Sequence, residues 1–141
     1  MAAFTLSTDG GARGNPGPSG AGAVIQDASG ATIKEISRDL GEMTNNQAEY
    51  WALLFGLEAL VELGAANHPI EVRMDSELIV QQIKGNYKVK NEGLRSLYQR
   101  AVGLIDSLGG DVTFTHVLRR FNKRADELVN QAIDKAQGIR S

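Results

Sequence analysis

TNNQAEYWALLFGLEALVELGAANHPIEVRMD, residues Thr44 to Asp75, holds a long helix followed by a short strand. From Asn45 to Leu63 the residues are helix formers, opened by Thr44 with Gln47 three positions later. That pair is a capping box, in which each side chain satisfies a backbone N–H that the helix start leaves free. The helix is apolar nearly all round, which predicts a buried element. Ile70 to Asp75 then alternates as a strand. A strand before the helix and this one after it form a crossover, which leaves the two strands parallel and the connection right-handed.

Upstream, AFTLSTD alternates with Phe4 and Leu6 on one face and Thr5, Ser7 and Asp9 on the other. This strand is the partner of Ile70 to Asp75 in the parallel pair, and the sequence places Asp9 at its end. The glycine-rich TDGGARGNPGPSGAG reads as a supple turn after it, with Gly10 and Gly11 able to pass close to a bound phosphate. GAGAVIQD and ATIKEISRDL follow as two strands joined at Ala28-Ser29-Gly30, so the first three strands form an antiparallel meander. Downstream, SELIVQQIKG is a helix closed by Gly85, NEGLRSLYQRAVGLIDSL another, and DVTFTHV a last strand. NKRADELVNQAIDKAQ ends the chain with an apolar stripe of Ala125, Leu128, Val129, Ala132, Ile133 and Ala136. The pattern is that of an α/β fold in one domain, residues 1–141.

A chain of 141 residues, 42% hydrophobic, can bury a real core. It has no cysteine, which removes disulfides and thiolate ligands, and no spanning apolar stretch. A soluble, cytoplasmic monomer without membrane attachment is expected. The net charge of −2 hides an uneven distribution: 4 Lys+Arg against 11 Asp+Glu up to Val80, then 11 against 6 from Gln81. Such blocks suit an acidic metal site beside a basic phosphate-binding surface, and equally two solvated faces of opposite sign.

Ligands of open α/β sheets sit beyond the carboxyl ends of strands, where the strand order reverses. Asp9 and Asp75 both end strands of the parallel pair, so as neighbours they share one rim. Glu49 lies in the second turn of the buried helix, and Gly56, two turns on along the same face, lets that face approach another backbone. Asp126 falls in the first turn of the last helix, behind Asn122 as its cap. Each acid has an ordinary role available: Asp9 in a turn, Asp75 capping the next helix, Asp126 offsetting the helix dipole. A carboxyl in so apolar a helix as that of Glu49 nevertheless needs a partner. Clustered carboxylates either hold protons or bind cations, and an all-oxygen set favours Mg²⁺ or Mn²⁺. Two such ions form the clamp used for in-line displacement at phosphorus.

DGGARGNPGPSGAG, TNNQAEY, MDSELIVQQIKGNYKVKN and HVLRRFNKRADELVN, in that order, resemble the type 1 ribonuclease H family nearly end to end. The resemblance implies a ribonuclease H-like fold, a five-stranded mixed sheet flanked by helices on both sides. It implies endonucleolytic cleavage of the RNA strand of RNA/DNA hybrids, giving 5′-phosphate and 3′-hydroxyl ends. The family's metal-binding acids fall on Asp9, Glu49, Asp75 and Asp126, with Asp9 bridging two ions, Glu49 and Asp75 serving one and Asp126 the other. One ion activates a water, and the other stabilises the leaving 3′ oxygen. His116 takes the place of a mobile histidine that moves protons or assists product departure. Substrate contacts fall on Asn15, Asn45 and Asn46, with a DNA-phosphate pocket at Thr44.

The amides of Asn15, Asn45, Asn46 and Gln47 can address the 2′-hydroxyl that distinguishes RNA from DNA. Asn15 also suits a turn, and the others a helix cap. Where relatives often carry Gln after the Asp75-Ser76 pair, this chain has Glu77, whose charge repels an RNA backbone. KGNYKVKN sets Lys84, Lys88 and Lys90 around Tyr87, in place of the long basic handle some relatives use to grip DNA. With only this short connection, and with no N-terminal hybrid-binding domain expected, weak, salt-sensitive substrate binding is predicted. Arg119, three residues after His116, recurs in relatives without the handle. The alternative to an enzyme is a non-catalytic hybrid-binding module of the same fold, which has little reason to keep all four acids.

Overall fold

The computed structural model describes residues 2–138, so the ends of the expected 1–141 domain lie outside the described residues. Five strands, β1 (Phe4–Ala12), β2 (Gly17–Asp27), β3 (Thr32–Met43), β4 (Ile70–Met74) and β5 (Val112–His116), form one mixed sheet in the order β3-β2-β1-β4-β5. β1 to β3 are the antiparallel meander, and β4 and β5 add in parallel beside β1. The α/β fold with a five-stranded mixed sheet is as the sequence predicts.

Helix α1 (Asn45–Glu62) begins at Thr44, and its capping box is complete. Helices α2 (Glu77–Ile83), α3 (Glu92–Ser107) and α4 (Lys123–Ala136) follow, with one 3₁₀ turn, Arg119–Phe121, just before α4. Ser76 caps α2, its hydroxyl accepting from the Ile79 N–H, so Asp75 does not serve as the cap. No helix among the described residues is long and apolar enough to cross a membrane.

The glycines around β1 are where the structure departs from the sequence reading. β1 does not stop at Asp9. It continues to Ala12 in register with β2, pairing Asp9 with Gly22 and Gly10 with Ala21. Alternate residues of a strand face opposite sides, and the glycines mark where helices touch those sides. On one side a Cβ on Gly10 would lie 2.2 Å from the Ala48 carbonyl oxygen of α1. On the other, Cβ atoms on Gly20 and Gly22 would lie 2.8 Å and 2.2 Å from the Val129 and Ala125 oxygens of α4. Of the stretch that reads as a loose turn, Gly10 to Ala12 extend β1 and Gly17 to Ser19 open β2, a strand pair pressed between two helices.

Gly56 also differs from expectation: a Cβ there would meet the Leu6 side chain at 2.6 Å, not a backbone. α1 is apolar nearly all round because α3 covers the side away from the sheet, through Leu94, Leu97 and Ala101. α4 closes the other face of the sheet with Ala125, Leu128, Val129, Ala132 and Ile133, while Ala136 is exposed.

Candidate active site

The parallel pairing of β1 and β4 ends at Thr8 opposite Met74. Asp9 and Asp75 are therefore the next residues on adjacent strands, at one rim of the sheet. Asp9 points to the α4 side, where Asp126 occupies the first turn. Glu49 arrives from α1, its Oε1 accepting a 2.7 Å hydrogen bond from the Gly10 N–H. The close approach of α1 to Gly10 is what makes that bond possible. Asp9 is 4% and Glu49 8% exposed.

Oxygens of Asp9, Glu49 and Asp75 all lie within 4.8 Å of one another, while Asp126 stands outside this trio beside Asp9. Asp75 Oδ2 is buried without a hydrogen-bond partner among the described residues. Three clustered carboxylates with an unsatisfied buried oxygen and no sulfur ligand suit a hard divalent cation. The site fits such ions.

Without a cation the same geometry is electrostatically unfavourable. The Asp9 carboxyl is pushed up to about 8, first by burial, then by Asp75 and Asp126, against the opposing pull of Arg119. Glu49 is held well above the usual carboxylate range by burial and then by Asp9 and Asp75, although the Gly10 bond favours its charged form. An acid whose folded pKa is raised gives stability that is fully present below its unfolded value and is lost as pH rises through the folded one. For Asp9 that window runs from about 4 to about 8. With chelator present, thermal melts are therefore expected to shift down from pH 5 to pH 8.5, each such group costing up to about 1.4 kcal/mol per pH unit. Added Mg²⁺ or Mn²⁺ should restore much of the loss at the upper end. A melting temperature in chelator that does not fall across this range would contradict the account.

Asn122 holds the acids in a way its expected capping role does not describe. It stands before α4 but makes no side-chain cap bond. Its Nδ2 donates instead to the Thr8 carbonyl, 2.9 Å away, and the residue is buried. One hydrogen bond thus ties the start of α4, four residues before Asp126, to the residue preceding Asp9. Asn122→Ala strands the Thr8 carbonyl, and a stability loss of about 1 to 3 kcal/mol is expected in chemical denaturation. An unchanged midpoint would show that the tether carries no weight.

A pocket of about 330 Å³ opens over the acids, lined by Asp9, Gly10, Gly11, Asn45, Asn46, Glu49, Arg119 and Asp126 among others. A second, of about 400 Å³, is lined by Asn15, Thr44, Asn45, Asn46, Gln47, Asn91 and Leu94. Asn45 and Asn46 belong to both, so the two form neighbouring parts of one polar track. Asn45 Oδ1 accepts from the Ala12 N–H and Asn15 Oδ1 from the Asn45 N–H. Thr44 and Gln47 bond to each other across the helix start.

The structure thus gathers Gly10, Gly11, Asn15, Thr44, Asn45, Asn46, Gln47 and Arg119 around the acids or the adjoining pocket. His116 ends β5 opposite Met74, exposed on the same rim as Asp75. Tyr87 is exposed in the connection between α2 and α3 and lines neither pocket. Arg13, Asn91 and Asn130 line these pockets without having been singled out in the sequence. Arg13 is paired with Asp134 at 2.6 Å and donates to Asn130 Oδ1 at 3.2 Å. One pattern could have found Asn130, which lies one helical turn beyond Asp126, whereas Arg13 follows the end of β1 and Asn91 caps α3, positions that carry no such signal.

The reverse transcriptase-like family profile matches residues 7–132. A ribonuclease H of Hydrogenovibrio crunogenus is 34% identical over 98% of this chain and all of its own length. A bifunctional protein of Mycobacterium tuberculosis is 42% identical over 93% of this chain, which spans only 35% of that longer protein. Among solved structures, a ribonuclease H1 isolated from compost by a metagenomic approach superposes with a TM-score of 0.91 at 49% identity, covering 97% of this chain and 99% of its own. A related crystal structure of that enzyme in complex with an RNA/DNA hybrid gives 0.91 at 48% identity, over 95% of this chain and 99% of its own.

Proposed function

The chain belongs to the type 1 ribonuclease H family, and from that premise we propose that it cuts the RNA strand of RNA/DNA hybrids endonucleolytically, leaving 5′-phosphate and 3′-hydroxyl ends. The observation that carries this reading is the convergence of Asp9, Glu49 and Asp75, with one Asp75 oxygen buried and unsatisfied. A module that only bound hybrids would gain nothing from raising the pKa values of its own buried acids.

Asp9, Glu49 and Asp75 would hold one divalent ion, with Asp9 shared towards a second beside Asp126. Such ions, when bound, would supply Lewis-acid activation of a water and charge neutralisation at the leaving oxygen for an in-line displacement. The chain's own residues prepare the rest. The Gly10 N–H fixes the Glu49 carboxylate. Arg119 contributes positive charge to the acid pocket, where a phosphate would sit beside the carboxylates. His116, exposed on the rim, is placed to exchange protons with solvent during turnover.

Discrimination between RNA and DNA is assigned to Asn15 and Asn45. Their amide oxygens are occupied by backbone N–H groups, which leaves the NH₂ ends as donors. Donors in a minor groove meet the 2′-hydroxyl oxygen of RNA. Thr44 and Asn91 line the adjoining pocket, where a phosphate of the DNA strand would lie.

The test is a cleavage assay on labelled RNA/DNA, RNA/RNA and DNA/DNA duplexes in Mg²⁺ and in Mn²⁺, with product ends analysed. Cutting of the hybrid's RNA strand, with 5′-phosphate ends, is expected. Hybrid bound but uncut in both ions would favour the binding module instead.

A further inference from the structure

The two most exposed large apolar side chains among the described residues are Phe121, at 61%, and Leu118, at 52%. They bracket the 3₁₀ turn next to the acid pocket, and the Phe121 N–H donates to the Leu118 carbonyl at 2.9 Å. Leu118 is the extended residue before the turn and Phe121 the last residue of it, so the two exposed side chains flank one three-residue turn. Arg120 lays its guanidinium over the Phe121 ring, 4.9 Å from the centroid. Arg119, between them in sequence, lines the acid pocket.

The charges around this patch are unbalanced. Arg124 is taken up by Glu35 at 2.7 Å and Glu127 at 3.8 Å. Arg119, Arg120 and Lys123 form no ion pair among the described residues. An exposed apolar pair with unpaired cations, continuous with a phosphate-accepting pocket, complements a sugar-phosphate backbone. Apolar side chains cover the faces of sugar rings, and the cations meet the phosphates between them.

We propose that Leu118, Arg120 and Phe121 form a second contact with the hybrid, gripping the strand beside the scissile position and partly replacing the missing basic handle. The contact rests on the ribonuclease reading above. The turn joins β5 to α4, so a strand held there is held relative to both His116 and Asp126. The apolar pair supplies salt-independent grip, and Arg120 adds one phosphate contact.

Steady-state cleavage of a short labelled hybrid by the parent, by Leu118→Ser with Phe121→Ser, and by Arg120→Gln tests this. All three side chains are exposed, and thermal melts report whether the fold is kept. The double variant is expected to raise KM at least about fivefold, with kcat within about twofold and the parental dependence of log KM on log salt. Arg120→Gln is expected to raise KM and to lower that slope by about one. Parental KM in both variants, or a loss confined to kcat, overturns the contact while leaving the activity intact. A patch made for a protein partner would give that first result. A parent that cuts no hybrid overturns the activity and the contact together.

Discussion

Asp75→Asn is expected to lower kcat on an RNA/DNA hybrid by at least about 10³-fold and, in the same protein without divalent ions, to raise the melting temperature at pH 8. The two effects have one cause. Asp75 is the largest neighbouring charge raising the Asp9 pKa, and it also raises that of Glu49. Its removal relieves repulsion that about 332/(εr) kcal/mol makes substantial at such separations in a partly buried site. On the proposed reading the same removal also deletes a metal ligand, and a loss of about 4 kcal/mol of transition-state stabilisation corresponds to the expected drop in rate. A residue kept only for structure would lose stability along with activity. Opposite signs in the two measurements identify a carboxylate held in place for a cation. A variant that cuts as fast as the parent would remove Asp75 from the site.

The second large effect lies in a glycine. Gly10→Ala would bring a methyl carbon to 2.2 Å from the Ala48 oxygen and 2.5 Å from the Glu49 nitrogen, all of it helix backbone. No side-chain rotation relieves that overlap, so α1 must back away from β1 by about 1 Å, carrying Glu49 away from Asp9. Overpacking of this kind costs about 3 kcal/mol or more when backbone must move. A displacement of about 1 Å at a catalytic group costs roughly 10²-fold in rate. Gly103→Ala is the control, because nothing lies within 4 Å of its Cβ in the middle of α3. There the exchange is expected to stabilise by up to about 1 kcal/mol through helix propensity alone. Equal midpoints in urea for the two variants would show that the close approach at Gly10 is not what seats the helix.

The contrast between those glycines marks where sequence reading succeeds and where it stops. Local chemistry carried α1 well: Thr44 and Gln47 form the capping box they spell out, and the apolar circumference of the helix matches its burial between sheet and α3. The rim shared by Asp9 and Asp75 was legible because parallel pairing of neighbouring strands puts their ends together. What misled was Gly10 to Ser19, where missing side chains look like flexibility although Gly10 to Ala12 extend β1 and Gly17 to Ser19 open β2. Their cause is tertiary, the approach of α1 on one side and α4 on the other. Asn122 shows the same limit: its position before α4 spells a cap, yet its amide is drawn to Thr8 on a strand 114 residues away in sequence. Pocket residues such as Arg13 and Asn91 became visible only once distant segments were juxtaposed.

Anomalous scattering from a crystal soaked in Mn²⁺ addresses the central claim most directly. A manganese peak within coordinating distance of Asp9, Glu49 and Asp75, absent from Asp75→Asn treated in the same way, is the result expected. Manganese found only at other acids of the surface, with the three carboxyls still grouped around no ion, would contradict it.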